Sequence, residues 1–311
     1  MNSKRVKVFI YLLLSTILLY FVGKAIIRQI DNINWDTLRF NYTFLVLAIL
    51  SDIISRIFAG ILYSSLLRRL EAFLPHHVAM SISWLSLLGK YIPGKIAVLG
   101  SGMFLLSRYK VRPEITVIVP VLANGMFIIS CLFLSLPLFF SQPAGNIIPF
   151  SQAWFFLLLF IGIIAMHPKM FLGLANWMLR LIKRPSLQTG LTFKQMLLPF
   201  CIVLAQCIFL GITTWCVMKA LTIISVSAIP VVISISVLAG TLGFLAFFSP
   251  AGLGVREGIY LLTLSPFIGS EMAVLTAVCL RMLQTAMDAL MGATALGLLR
   301  LTNTHEKIKN V

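Results

Sequence analysis

The chain has 311 residues, 59% of them hydrophobic and only 11% charged, with a mean hydropathy of +1.00 and a formal net charge of +16. Soluble domains average about 25% charged and 45–50% apolar residues, so this composition excludes a soluble globular protein and points to an all-α polytopic integral membrane protein. The basic excess, 25 Lys+Arg against 9 Asp+Glu, reads as the positive-inside bias of cytoplasmic loops, with no nucleic-acid partner implied.

The N-terminal Lys4-Arg5-Val6-Lys7 precedes an apolar run that no small-x-small cleavage pattern ends, so Val8 to Ile30 reads as an uncleaved first span. A second span, Tyr42 to Leu67, stops at Arg68-Arg69 and carries Asp52 and Arg56 four residues apart on one face, the favourable order for an acid–base pair. From Val78 to Ser107 two apolar arms of about a dozen residues flank Gly89-Lys90-Tyr91-Ile92-Pro93-Gly94-Lys95. Such arms reach about 18 Å at 1.5 Å per residue, short of a hydrocarbon core about 30 Å thick. A re-entrant hairpin fits them better than a single span.

Glu114 to Phe140 is the next span, followed by the uncharged connection Ser141 to Phe150 and a short span, Ala153 to Met166 with its flanks. Met170 to Ile182, bracketed by Lys169 and by Lys183-Arg184, reads as a helix lying on the interface. Gln195 to Met218 spans again. Pro230 to Phe248 then leads into Pro250-Ala251-Gly252-Leu253-Gly254-Val255-Arg256-Glu257, and a second arm, Ile259 to Phe267, leads out. A full span kinked at Pro250 is the alternative for that segment. Met272 to Leu299 closes the series with Arg281, Gln284 and Asp288 on one face. The count is about six full spans plus two re-entrant helical hairpins.

With the N-terminus in the cytoplasm, Lys4, Arg5, Lys7, Arg68, Arg69, the cations from Arg108 to Arg112 and from Lys169 to Lys194, Arg300, Lys307 and Lys309 fall inside. Only Lys24, Arg28, Arg39 and Lys219 fall outside. Basic residues gather on the cytoplasmic side, so both termini are placed there. The halves, about 1–145 and 146–311, then read alike in order and opposite in orientation. An inverted repeat with interrupted helices at corresponding positions points to a transporter site at the midplane.

Charge at membrane depth costs several kcal/mol, about 2.5–3.5 per residue on insertion scales. Lys90, Tyr91, Pro93, Gly94 and Lys95 therefore form one candidate anion site, in which the backbone N–H groups at a Pro-Gly break add to the two lysines. Snorkelling of both lysines is the other reading. In the second break Gly252 and Gly254 permit close backbone approach, and Arg256 pairs either with Glu257 or with a ligand phosphate. Asp52 with Arg56, and Arg281 with Asp288, read as internal ion pairs that line a polar pathway together with Gln284. The five cysteines lie in apolar segments without a CxxC, and His76-His77 lacks companion ligands, so no metal or other cofactor is expected. No Walker loop, G-x-S-x-G or H-E-x-x-H occurs, and the remaining groups suit holding anions more than transforming them.

The heptapeptide with the trailing Arg108-Tyr109, and the Pro250 to Glu257 motif, together resemble the "KYLPGK" and "PGGLGVRE" signatures of the lysylphosphatidylglycerol synthase transmembrane (flippase-like) family. Their order and separation match over nearly the whole chain, with a departure at Ala251, where Gly is common. The resemblance implies a domain of the bacterial inner membrane that moves charged lipids between leaflets. These include anionic phospholipid, aminoacyl-phospholipid and polyprenyl-phosphate-linked sugar. A lipid-modifying enzyme or a second copy of the chain would be its partners. In two-part members a cytosolic domain attaches lysine to phosphatidylglycerol. This sequence ends at Val311 without that domain, so lysyl transfer is not expected of it. A lipid-linked glycosyl or head-group transferase, or an accessory subunit of one, is the alternative.

Overall fold

A computed structural model describes residues 40–91, 96–140, 157, 160, 162, 164, 167–181, 183–187, 192–246 and 249–309. The expected first span, the tip residues Ile92, Pro93, Gly94 and Lys95, the connection from Ser141 to Phe150 and most of the short span Ala153 to Met166 lie outside the described residues. Among those described, every regular element is a helix. Five helical stretches are long and apolar enough to cross a membrane: Tyr42–Arg69, Pro113–Leu138, Phe193–Leu221, Val226–Leu245 and Ser270–Leu301. The protein is therefore a multi-span membrane protein.

In chain order the helices are α1 (Tyr42–Arg69), α2 (His76–Leu88), α3 (Ile96–Arg108), α4 (Pro113–Leu134), α5 (Leu136–Phe140), α6 (Pro168–Leu181), α7 (Phe193–Leu221), α8 (Ile229–Leu245), α9 (Val255–Ile268) and α10 (Ser270–Lys309). Their boundaries follow local chemistry. Pro75 and Pro113 stand at the starts of α2 and α4, where a missing N–H costs nothing. Gln195 accepts from the Thr192 N–H at 2.8 Å and caps α7. The α6 helix exposes Met170, Leu174, Trp177 and Leu181, while Asn176 ties its body to the chain beyond it by accepting from the Leu187 N–H at 2.6 Å.

The frame is the pair α1 and α7, which make the most extensive contact among the described helices. The two run antiparallel. The Asn41 N–H reaches Ala220 O, Phe44 meets Trp215 edge-on, Ser51 donates to Phe209 O and Ser55 donates to Gln206 O, so one number falls as the other rises. Apolar cores gather at both ends of this pair. One joins Leu62, Tyr63, Leu66 and Leu67 of α1 and the following Leu70 to Met196, Ile202, Val203 and Cys207 of α7, with α2, α3 and α4 around them. The other joins Ala48 of α1 to Trp215–Leu221 of α7, with α8, α9 and α10.

The pattern α1, hairpin α2–α3, α4 recurs as α7, hairpin α8–α9, α10. Each first helix packs on the first arm of its hairpin, the arms of each hairpin pack together, and each second arm packs on the helix that follows. In the first hairpin both arms have 13 residues, about 20 Å of helix. The second is longer, with arms of 17 and 14 residues. Its first arm, counted with the preceding turn from Val226, is one of the five crossing candidates. The chain nevertheless reverses after α8. A Cβ on Gly252 would stand 2.9 Å from the Gly243 Cα, so the turn Pro250–Gly252 lies back against α8.

A polar cavity where two hairpins meet

The turns that end the first arms, Gly89–Tyr91 and Pro250–Gly252, pack against each other. They close one side of a cavity of about 210 Å³ whose opposite wall is the middle of α1 and α7. Arg56 stands about halfway along α1 and Gln206 about halfway along α7. The cavity thus sits between the two apolar cores, at the level where both long helices are furthest from their ends.

Asp288 of α10 is its hub. It is 3% exposed and Asp52 1%, so neither carboxylate survives there as an ion without partners. One Asp288 oxygen accepts from Arg56 Nη1. The other accepts from Lys90 Nζ at 2.5 Å and from Tyr91 Oη at 2.5 Å. Arg56 also donates from Nε to Asp52 at 2.6 Å and from Nη2 to Gln284 O at 3.1 Å, which occupies all three of its nitrogens. Lys90 Nζ lies 5.3 Å from the centre of the Tyr91 ring. The first tip is therefore clamped to α10 and α1 through charge.

The second tip is built differently. Gly252 and Gly254 have φ of +70° and +82°, a region that L side chains enter only at a cost of roughly 1–2 kcal/mol. That bend lets α9 start at Val255, four residues earlier than the hydropathy alone places it. Arg256 and Glu257 consequently lie in the first helical turn and not in a loop. Glu257 accepts from the Gly254 N–H at 2.7 Å and faces Arg281 Nη1 at 3.5 Å, while the same Arg281 nitrogen donates to Ala251 O at 3.1 Å.

These contacts correct one pairing read from spacing and decide another. Arg281 and Asp288 share a face but do not pair. Seven residues are two turns, about 10.5 Å along the axis, and each finds a nearer partner across the helix boundary. Glu257 is taken by Arg281, so Arg256 does not pair with it. Instead Arg256 lines the cavity, its stem laid over Gly243, where a Cβ would come within 2.2 Å of its Cγ. Its Nε is buried and has no hydrogen-bond partner among the described residues, and the same holds for Gln284 Nε2.

Among the described lining residues, two carboxylates (Asp52, Asp288) face three cations (Arg56, Lys90, Arg256). The first four compensate one another, and Arg256 is the excess. Buried donors without acceptors beside an unbalanced positive charge make an anion-accepting site. Of the residues singled out in sequence, the structure brings Asp52, Arg56, Lys90, Arg256, Gln284 and Asp288 to one cavity. Tyr91 and the Glu257–Arg281 pair brace its edges. Pro93, Gly94 and Lys95 lie outside the described residues. Asn124 and Gln206, amides in the apolar middle of α4 and α7, also line the cavity. Their signal was a polar side chain at membrane depth, overlooked beside the charges.

Residues 8–292 match the family described as the lysylphosphatidylglycerol synthase TM region. No curated protein matches the chain.

Proposed function

The chain belongs to the lysylphosphatidylglycerol synthase TM region family, and from that premise we propose that it is a flippase-type transporter that carries the anionic head group of a membrane lipid between leaflets. The observation that carries this reading is the uncompensated Arg256 in a cavity halfway along two membrane-crossing helices. A head group passing through the hydrocarbon layer needs such a polar station, since its charge has no solvent there. The acyl chains stay in the bilayer.

We further propose that the two hairpins are re-entrant and that the halves form an inverted repeat about the cavity. In support, α1 and α7 are corresponding helices that run antiparallel, as a pseudo-two-fold axis in the membrane plane requires. Gly60 and Gly211 each stand 18 positions after the first residue of their helix, Tyr42 and Phe193. Each lets the first arm of its own hairpin come close, at Met80 and Ile233 respectively. The basic residues favour an inner-membrane protein with both termini cytoplasmic. Rocking of one half against the other would expose the cavity to each side in turn.

The test is leaflet transfer of a labelled anionic phospholipid in proteoliposomes containing the purified chain. Arg256→Ala is expected to remove most of the transfer while the protein remains monodisperse, and Lys90→Ala, which strands part of the Asp288 charge, to lower transfer together with thermal stability. Wild-type transfer in the double variant overturns the reading.

A further inference from the structure

We propose that α6 lies flat in the head-group layer at the end of the bundle where α1 stops, and docks there on the anionic lipids of one leaflet. This surface is separate from the cavity and does not rest on the transport reading.

The first observation is the arrangement of faces on α6. Its buried face carries Ala175 and Leu179, which join the apolar core at that end of α1 and α7. Asn176 fixes it by holding the Leu187 backbone through both amide atoms, at 2.6 and 3.3 Å. Leu187 is itself buried six residues before the start of α7, so α6 sits where α7 begins and α1 ends. Met170, Leu174, Trp177 and Leu181 form the opposite stripe and are 52–64% exposed. Lys169 and Arg180 fall together on the flank between the two faces, because eleven residues are close to three turns. They are about 16 Å apart along the axis. An upright helix would carry one of them that much deeper into the hydrocarbon than the other. A helix parallel to the membrane keeps both at the surface and puts Trp177 at head-group level, where tryptophan is favoured.

The second observation is charge without a partner. No Asp or Glu occurs between Glu114 and Glu257. Glu71 and Glu114 instead lie 3.9 and 3.8 Å from Arg112. Lys169, Arg180, Lys183 and Arg184 are exposed, and no carboxylate among the described side chains pairs with them. Two of them occupy places that the helix itself does not favour. Lys169 stands in the first turn, at the positive end of the helix dipole. Lys183 takes φ +54° in the turn that closes the helix, a position usually given to glycine. An anionic leaflet supplies the missing counter-charge, at about fivefold in binding for each cation near it. It also takes up the apolar stripe, which a soluble anion cannot.

The experiment uses the full chain in phosphatidylcholine nanodiscs doped with phosphatidylglycerol or phosphatidylcholine bearing an anthroyloxy acceptor near the head of one acyl chain. The wild-type signal minus that of Trp177→Phe isolates energy transfer from Trp177. Transfer to the phosphatidylglycerol probe is expected to exceed that to the phosphatidylcholine probe about fivefold at about 0.05 M salt, and to approach it at about 0.5 M as the screening length shortens. Replacing the four cations together (Lys169→Gln, Arg180→Gln, Lys183→Gln and Arg184→Gln) should bring the two probes within about twofold, whereas Arg256→Gln should leave the preference unchanged. Equal transfer to both probes in the wild-type chain at low salt overturns the proposal, with no variant needed. So does a preference that Arg256→Gln abolishes, which would place the anionic lipid in the cavity. An acceptor at the far end of the acyl chain that outperforms one near the head would show α6 buried in hydrocarbon and overturn the flat placement. Inorganic phosphate that removes the preference when chloride of the same ionic strength does not would assign the cations to a soluble anion, and overturns it too.

Discussion

The α2–α3 hairpin brings Lys90 and Tyr91 to the cavity and commits both to Asp288, whereas the α8–α9 hairpin brings Arg256, whose buried Nε has no partner among the described residues. The first has no acid of its own and borrows one from α10. The second carries Glu257, which closes its own helix start and engages Arg281 before either reaches the cavity. Two segments that look alike in sequence, apolar arms around a Pro/Gly break with charge, therefore divide the work. One fixes the geometry, and the other holds the charge available to a ligand. Changes at the first tip should register mainly in stability, and changes at the second mainly in what the cavity accepts.

The largest effect is expected from Asp288→Asn. It leaves Arg56 and Lys90 facing only Asp52, and breaking a buried pair costs about 3–5 kcal/mol. The temperature at which the purified protein loses monodispersity should fall steeply, and leaflet transfer with it. Tyr91→Phe removes a single hydrogen bond to the same carboxylate, worth about 1.5–3 kcal/mol, and should lower that temperature less. At the second tip, Gly243→Ala puts a methyl where the Arg256 stem lies. Overpacking of that kind costs about 1–3 kcal/mol, and the guanidinium is pushed off its bearing. Adding Arg256→Gln to this variant should then change lipid binding little further, which a double-mutant cycle measures. The smallest effect belongs to Glu257→Gln. Although Glu257 is buried, the amide oxygen still accepts from the Gly254 N–H, and Arg281, 3.5 Å away and only partly buried, keeps its bond to Ala251 O. A Glu257→Gln variant as unstable as Asp288→Asn would erase the contrast between the hairpins.

Much of the fold was legible in the chain. The hydropathy runs place α1 and α7 to within a few residues of their bounds, with α4 ending at Leu134 and α5 continuing the run to Phe140, while α10 starts near the expected residue but runs on to Lys309, ten residues past Leu299. The thirteen-residue arms around Gly89–Tyr91 follow from length against bilayer thickness. The Asp52–Arg56 pair is readable because four residues make one turn. What spacing does not carry is which face meets which neighbour. Asp288 was assigned to Arg281 on its own helix because sequence shows only that helix, yet its partners come from α1 and from the turn after α2, 232 and 197 positions away in the chain. Spacing alone leaves Arg256 either to Glu257 or to a ligand. The deciding fact is tertiary, namely that Arg281 reaches Glu257 first. The start of α9 was missed because two glycines with positive φ turn the chain more tightly than hydropathy can register.

The antiparallel seam of α1 and α7 has a consequence for energetics. Under the proposed inverted repeat, helices that exchange places with their own counterpart would make a hinge with arms of equal reach, so tilting the molecule one way would cost nearly what tilting it the other way does. Such a scaffold is a see-saw without a preferred resting side. In the transport reading its direction would come from what sits on the board: the lipid concentration on each face, or a membrane potential acting on Arg256, which no carboxylate among the described residues balances, since moving an elementary charge is worth about 2.3 kcal/mol per 100 mV.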